Sequence, residues 1–398
     1  MRYCRNCLFP DTKPDLLFDT EGVCDACRSA EMKDHMIDWA ARYNKLREIL
    51  ERHRSKDGNN YDCIIPVSGG KDSTFQTHLI KNEFGLKPLC VCWYPCERTE
   101  LGKKNIENLS RMGVDLIEIK GNPKVYHRLA REALIRVGDP EWPEHVGIFT
   151  APVRVAASYR IPLIVWGENS QLEYGGGEIQ KGGASARASN VLDRRWLEEF
   201  GGLLGLRVED MIGVDGITRQ DLLPYTYPTD EEPAAVGVTG LFLGYYIKWD
   251  ARQQLQIVME HGFQVADGPM EGTYTNYENL DCKFMALHDY LKWLKYGFGR
   301  ATDHVGLDIR NQRMTREESL RLVKQHEGKL PRKYLPDILR ALQMTEDELM
   351  RELDKWTNKG IFVCDEQGNL VRDADGNLIK RKYDNDQRLQ PSASSAAS

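Results

Sequence analysis

Asp62-Cys63-Ile64-Ile65-Pro66-Val67-Ser68-Gly69-Gly70-Lys71-Asp72-Ser73-Thr74-Phe75-Gln76 is the stretch whose reading decides the fold. A short apolar run meets two glycines and then a helix-forming segment, which reads as strand, turn and helix. Adjacent glycines let the backbone turn tightly and approach a ligand closely. The helix start that follows aims unpaired N–H groups at the turn, and its dipole favours an anion there. Ser68 and Ser73 add hydroxyls. Asp72 would repel a phosphate on its own, and makes sense if a divalent cation sits between the two. The spacing is not that of a Walker loop, which has four residues between its glycines and then Gly-Lys-Ser/Thr.

The stretch resembles the PP-loop of the ATP pyrophosphatases, Ser-Gly-Gly-x-Asp-Ser. Those enzymes cleave ATP between the α and β phosphates and adenylate a substrate oxygen. The resemblance implies that Ser68, Gly69, Gly70, Lys71, Asp72 and Ser73 bind ATP, with Lys71 and Asp72 also catalytic.

Outward from this turn, strands are expected at residues 87–94, 114–119 and 161–166, and helices at 100–112 and 152–159. The apolar run 241–249 is the expected last core strand. Strands alternating with helices predict an α/β fold with a doubly wound parallel sheet, whose ligands sit at the carboxyl ends of strands. Pro66 is expected where its strand runs out, because proline is disfavoured in a central strand. Cys90 and Cys92 share one strand face, as core residues or as a reactive thiol pair. The strand ending at Trp166 runs into Gly167-Glu168-Asn169-Ser170-Gln171-Leu172-Glu173-Tyr174-Gly175-Gly176-Gly177. Two carboxylates and several glycines there suggest a metal and phosphate environment, or else a glycine-rich surface loop. This stretch resembles the Gly-Glu-Gly loop of asparagine synthetase, and Glu173 falls where NAD synthetases carry a magnesium-binding glutamate. The resemblance places Gly167 and Glu168 against ATP and Mg²⁺ on Asp72 and Glu173, with Glu168 as a further candidate ligand.

Before the core, Cys4-x2-Cys7 and Cys24-x2-Cys27 have the spacing of a four-thiolate zinc site. An iron–sulfur cluster or four unrelated buried cysteines are the alternatives. Residues 30–54 read as one helix, with Met36, Trp39, Tyr43, Leu46 and Leu50 at helical spacing. The expected organisation is a zinc-binding module at 1–30, a linker helix at 31–60 and the nucleotide core at 61–255. A helical substrate or partner region at 256–360 follows, then a hairpin and disordered tail at 361–398.

Beyond the core, 184–227 carries mixed helix signals with Arg187, Arg194 and Arg195. Residues 281–298 read as a helix with Phe284, Leu287, Leu291, Leu294 and Phe298 on its apolar face. His288, Lys292 and Lys295 form a basic stripe beside it. Residues 297–304, including Arg300, Asp303 and His304, read as a loop. Such charges commonly mark a solvated face; the functional reading is a set of cations that neutralise pyrophosphate or a sugar-nucleotide. Two or more helices follow over 315–354, and Asp375-Gly376 signals a hairpin turn.

The 398 residues are 41% hydrophobic and 29% charged, with a net charge of −6, which suits a globular protein and gives no general support for nucleic-acid binding. No apolar run is long enough to span a membrane, and residues 1–4 begin no signal segment. A cytoplasmic, reducing location is therefore expected for the ten cysteines.

Together, the two cysteine knuckles, Val-Ser-Gly-Gly-Lys-Asp-Ser at 67–73, Trp-Gly-Glu-Asn at 166–169 and Lys-Tyr-Gly-Phe-Gly-Arg-Ala-Thr-Asp-His at 295–304 resemble the WbpG- and PseA-like N-acetyl sugar amidotransferases, over roughly residues 1–330. The resemblance implies conversion of an acetamido group on a nucleotide-linked sugar to an acetamidino group, in surface-polysaccharide or flagellar-glycan biosynthesis, with ATP, Mg²⁺ and Zn²⁺. Lys292 and Arg300 would then join the catalytic set, and His288, Lys295, Asp303 and His304 the substrate site. Cys4 belongs to the zinc pattern and no glutaminase triad stands out, so no glutaminase domain is expected in this chain; the resemblance implies a separate glutaminase partner with a cyclase-like channelling subunit. No membrane or nucleic-acid partner is expected. The alternative is a PP-loop tRNA-modifying thiolase or amidating enzyme.

Overall fold

Five parallel strands form one sheet in the order β3-β2-β1-β4-β5. They are β1 (Cys63–Pro66), β2 (Pro88–Trp93), β3 (Asp115–Ile119), β4 (Leu163–Trp166) and β5 (Thr239–Phe242). Ile64 pairs with Leu89 on one side and Ile164 on the other, so β1 is central. The computed structural model describes residues 1–168, 173–175 and 203–381. Asn169, Gly176, Gly177, Arg187, Arg194, Arg195 and the tail from residue 382 lie outside the described residues.

The strand alternation sorts the core into two layers. Cys63, Ile65, Cys90, Cys92 and Val165 face one layer, packed against Leu46 and Leu50 of α2 (Trp39–His53), Phe75 of α3 (Lys71–His78), Ile106 and Leu109 of α4 (Glu100–Arg111) and Val258. Ile64, Leu89, Val91, Trp93 and Ile164 face the other, packed against Val125 and Leu129 of α5 (Pro123–Val137) and Trp142, Val146 and Val153 of α6 (Trp142–Tyr159). Helices thus cover both faces, the doubly wound arrangement expected from the alternation. Cys90 and Cys92 are core residues, and burial pushes the Cys90 thiol up to about 12.

Several boundaries differ from expectation. The segment read as one helix over 30–54 is two, α1 (Asp25–His35) and α2. Asp38 starts the second by accepting a hydrogen bond from the Ala41 N–H at 2.9 Å, and Met36 is left 70% exposed in the break. The helix expected to start at Pro152 starts ten residues earlier, with a proline in its first turn and Pro152 inside it. Helix α5 is additional to the expected elements: Asn122 caps it, Pro123 opens it and Gly138, at φ +65°, closes it. The apolar run 241–249 supplies only the end of β5 before turning into a short helical segment. Pro66 does end its strand.

After α7 (Ala251–Glu260), the chain is helical: α8 (Met285–Tyr296), α9 (Arg300–Arg310), α10 (Arg316–His326), α11 (Leu335–Leu342) and α12 (Glu346–Trp356). Residues 300–304, expected as loop, are the first turns of α9. Gly297, at φ +76°, closes α8, and Gly299 is the N-cap of α9. Leu287, Leu291 and Leu294 of α8 pack with Tyr126, Ala130 and Leu134 on the outer side of α5, which ties the C-terminal helices to the sheet. Among the described residues, no helix is long and apolar enough to cross a membrane.

Candidate functional site

Strand order reverses between β1 and β4, so their carboxyl ends open a crevice where ligands of such sheets bind. The Ser68–Ser73 turn leaves β1 at this point, and Gly167-Glu168 leaves β4. Gly69 holds φ +82°, and a Cβ there would lie 2.7 Å from the Ile106 backbone nitrogen of α4, so side-chain-free backbone is required on both counts. Gly70 is the N-cap of α3 and donates its N–H to Ser68 Oγ at 3.2 Å. The Ser73 hydroxyl donates to Gly70 O at 3.1 Å.

A cavity of about 640 Å³ opens beside this turn. Ser68, Asp72, Ser73, Gly167 and Glu168 line it from the strand ends; His288, Lys292 and Lys295 line it from α8. The basic stripe predicted on α8 therefore faces this cavity. Trp93, Phe149 and Trp166 supply apolar wall. Lys292 is ion-paired with Asp303 and stands 4.6 Å from the Phe298 ring centroid. Lys295 donates to Val137 O at 2.8 Å, and burial lowers its pKa.

Asp72 and Glu168 also line a smaller neighbouring cleft, with Lys71, Glu173, Glu278, Arg300 and His304. Lys71 Nζ donates to Asp72 Oδ1 at 2.6 Å and lies 3.5 Å from Glu278. Burial works against its charge, but the two carboxylates more than offset that and raise its pKa. Glu173 is buried and held by Lys33 of α1 at 2.6 Å. Glu168 has no ion-pair partner among the described residues; burial first, then the Asp72 charge, pushes it up to about 8, against the pull of Lys71. Arg300 pairs with Asp289 at 3.0 Å, and His304 Nδ1 lies 2.7 Å from Thr273 Oγ1. Asp303 serves Lys292 rather than lining either cavity.

The hard carboxylate oxygens of Asp72, Glu168, Glu173 and Glu278 around one cleft suit Mg²⁺, and Glu168, which has no ion-pair partner among the described residues, would give up its proton to bind it. Glu278 had no sequence signal; it sits in a polar loop with no motif. The same holds for Asp139 and His145, which line the larger cavity.

Cys4, Cys7, Cys24 and Cys27 are all buried, and their sulfurs lie within 4.8 Å of one another. Tetrahedral zinc with bonds of about 2.3 Å sets its sulfurs about 3.8 Å apart. Cys4 and Cys27 are 3.8 Å apart and Cys7 and Cys24 3.6 Å, so the four thiols fit one such ion. The module packs on the C-terminal region: Phe9 lies edge-on to Phe298, and Leu8 joins Ala301 and Val305 of α9.

Comparison with known proteins bears on this same wall of the cavity. A protein of Methanocaldococcus jannaschii, named uncharacterized protein MJ1599, is 30% identical over 100 residues, 24% of this chain and 33% of that protein. The match thus spans about a third of the relative's length. Residues 271–373 match the family described as LPS biosynthesis protein WbpG-like, C-terminal domain. That stretch contains α8 to α12 and with them His288, Lys292, Lys295 and Arg300. Across it, the chain is WbpG-like, similar to a family of lipopolysaccharide-biosynthesis proteins.

Proposed function

We propose that the protein is an ATP-dependent amidotransferase of polysaccharide biosynthesis, converting an acetamido group of a nucleotide-linked sugar to an acetamidino group. The observation that carries this reading is the meeting of the Ser68–Ser73 turn and the basic face of the WbpG-like region on one cavity.

An amide carbonyl is a poor electrophile, and ammonia does not displace its oxygen unaided. Attack of the acetamido oxygen on the α-phosphate of ATP would expel pyrophosphate and make that oxygen part of a good leaving group, AMP. Ammonia then adds to the imidate carbon and AMP departs. Sugar, ATP and ammonia thus give acetamidino sugar, AMP and pyrophosphate. In this scheme the Gly69 and Gly70 amides, Ser68 and the start of α3 cradle the pyrophosphate. Lys71 and Arg300 add positive charge, and such preorganised charge is commonly the largest catalytic contribution. Mg²⁺ on Asp72 and Glu168, with Glu173 nearby, would offset charge on the leaving group. Lys292 and Lys295 would face the nucleotide or sugar oxygens. Zn²⁺ on the four cysteines has a structural role, since four thiolates leave no open position. Ammonia would come from a separate glutaminase through a channelling subunit.

The thiolase reading is disfavoured by Cys90 and Cys92, both fully buried against the helices of one face. The test is incubation with ATP, Mg²⁺, ammonium chloride and a panel of nucleotide-linked acetamido sugars. The expected result is AMP together with a sugar lighter by the difference between O and NH. AMP with no modified sugar would sink the acceptor assignment, as would thiolated tRNA when tRNA and a sulfur donor replace the sugars and ammonium chloride.

A further inference from the structure

Asp139, His145 and His288 stand together on the wall of the larger cavity, brought there by the α5–α6 connection, α6 and α8. One ligand atom from each lies within 4.8 Å of the other two. His288 Nδ1 is 2.8 Å from Asp139 Oδ1, and His145 Nδ1 is 3.7 Å from Asp139 Oδ2. The two imidazoles meet nearly edge to face, with ring centroids 5.3 Å apart. Metal bonds of about 2.1 Å set neighbouring ligand atoms roughly 3.0–3.4 Å apart, and the two observed spacings bracket that range. His145 Nδ1 is buried with no hydrogen-bond partner among the described residues. Such an orphan is costly unless something satisfies it. The Asp139 carboxylate is also oriented from behind, because the Glu141 N–H donates to Oδ1 at 3.0 Å. Outer hydrogen bonds of this kind are the usual support of a ligating carboxylate.

We propose that Asp139, His145 and His288 bind one divalent transition-metal ion, with its open coordination positions directed into the cavity. Two imidazoles and one carboxylate make a borderline donor set that suits Zn²⁺ or Fe²⁺ better than Mg²⁺ or Ca²⁺. The nearest cations on the same wall do not compete for the carboxylate: Lys292 is paired with Asp303, and Lys295 is bonded to Val137 O. The open positions would take an oxygen donor of whatever occupies the cavity. This site stands apart from the four-thiolate site, and its binding is read without turnover, so it does not fall with the amidotransferase reading.

Cobalt titration of the full, metal-stripped chain tests the proposal. Four thiolates give Co²⁺ an intense sulfur-to-metal charge-transfer band, and an N₂O set gives none. With excess Mg²⁺ present to hold the carboxylate cleft, two equivalents should bind, only one of them with that band. His145→Ala and His288→Gln should each abolish the other equivalent and leave the charge-transfer band intact, which also shows that the variant is folded. Saturation at one equivalent would overturn the proposal and leave Asp139–His288 as a hydrogen-bonded pair. A second equivalent that survives both substitutions would place the ion elsewhere and overturn it equally.

Discussion

Replacing Gly69 with alanine tests how the turn is held. The residue sits at φ +82°, and an added Cβ would meet the Ile106 nitrogen at 2.7 Å and the Ile106 Cα at 2.9 Å. Both neighbours are backbone of α4, so no side chain can swing aside. Left-handed backbone costs an alanine roughly 1–2 kcal/mol. Overpacking against atoms that must shift adds about 1–3 kcal/mol. The expected destabilisation is therefore about 2–5 kcal/mol. Unfolding entropy near 2.1 cal/mol/K per residue gives roughly 0.8 kcal/mol/K for a chain of this length, so Tm should fall by about 2–6 °C. Gly58→Ala is the control: φ is +68° and nothing lies within 4 Å of the added atom. It should show the backbone strain alone, a fall of about 1–2 °C. Scanning calorimetry of both variants, with and without ATP and Mg²⁺, reads the difference. A Gly69→Ala protein no less stable than Gly58→Ala would refute the claim that α4 fixes the turn. Loss of any ATP-induced rise in Tm in Gly69→Ala alone is the further expected result, because the displaced turn presents its amides elsewhere.

Two other perturbations have definite signs. Cys24→Ser should abolish the thiolate-bound ion and open residues 1–30 to protease, read by metal analysis and limited digestion; an unchanged cleavage pattern counts against a structural ion. Glu168 titrates at about 8 in the folded protein, above the ordinary 4.5. The folded state therefore holds its proton more tightly than the unfolded chain, and stability from this group is full below about pH 4.5 and is lost as pH rises toward 8, by about 1.4 kcal/mol per pKa unit at most. Glu168→Gln should consequently be more stable than the parent at pH 9, with the gap closing toward pH 5. A gap that widens at low pH would show that the carboxyl is not strained by burial and by Asp72.

The elements that sequence disclosed are those with local signatures. The two glycines before Lys71, the β–α alternation and the paired knuckles each depend on neighbours in the chain, and the structure places them as expected. Pro66 was legible for the same reason, since proline's missing N–H has a fixed consequence. What stayed hidden is long-range pairing. Asp139 and His288 are 149 positions apart, and Lys33 and Glu173 are 140 apart. No periodicity marks either pair, and a lone carboxylate in a polar connection looks like any other. Residues 300–304 failed differently: Gly297 and Gly299 are a helix stop and a helix start, and two such signals in three residues read as an extended loop. For α5 the signals are local as well: Asn122-Pro123 at the start and Gly138 at the end bracket an amphipathic run.

The charge distribution in the smaller cleft bears on the form in which a nucleotide would arrive. Lys71 answers Asp72 and approaches Glu278, Lys33 answers Glu173, and Arg252 answers Asp308. Arg300 and Arg313 are drawn to Asp289 and Asp250, outside the cleft lining. Among the described residues, each of these cations is thus matched before any ligand enters, and Glu168 has no ion-pair partner. A bare triphosphate would add negative charge beside Asp72 and beside a Glu168 carboxyl whose ionised form burial already disfavours. A divalent ion arriving with the triphosphate reverses that sign, since it satisfies Glu168 and Asp72 together and frees Lys71 to turn toward the phosphates. The ion-pair pattern therefore favours the Mg²⁺ complex of the nucleotide over the free anion. It also gives an aspartate directly after the lysine a role in the phosphate-binding turn proposed above.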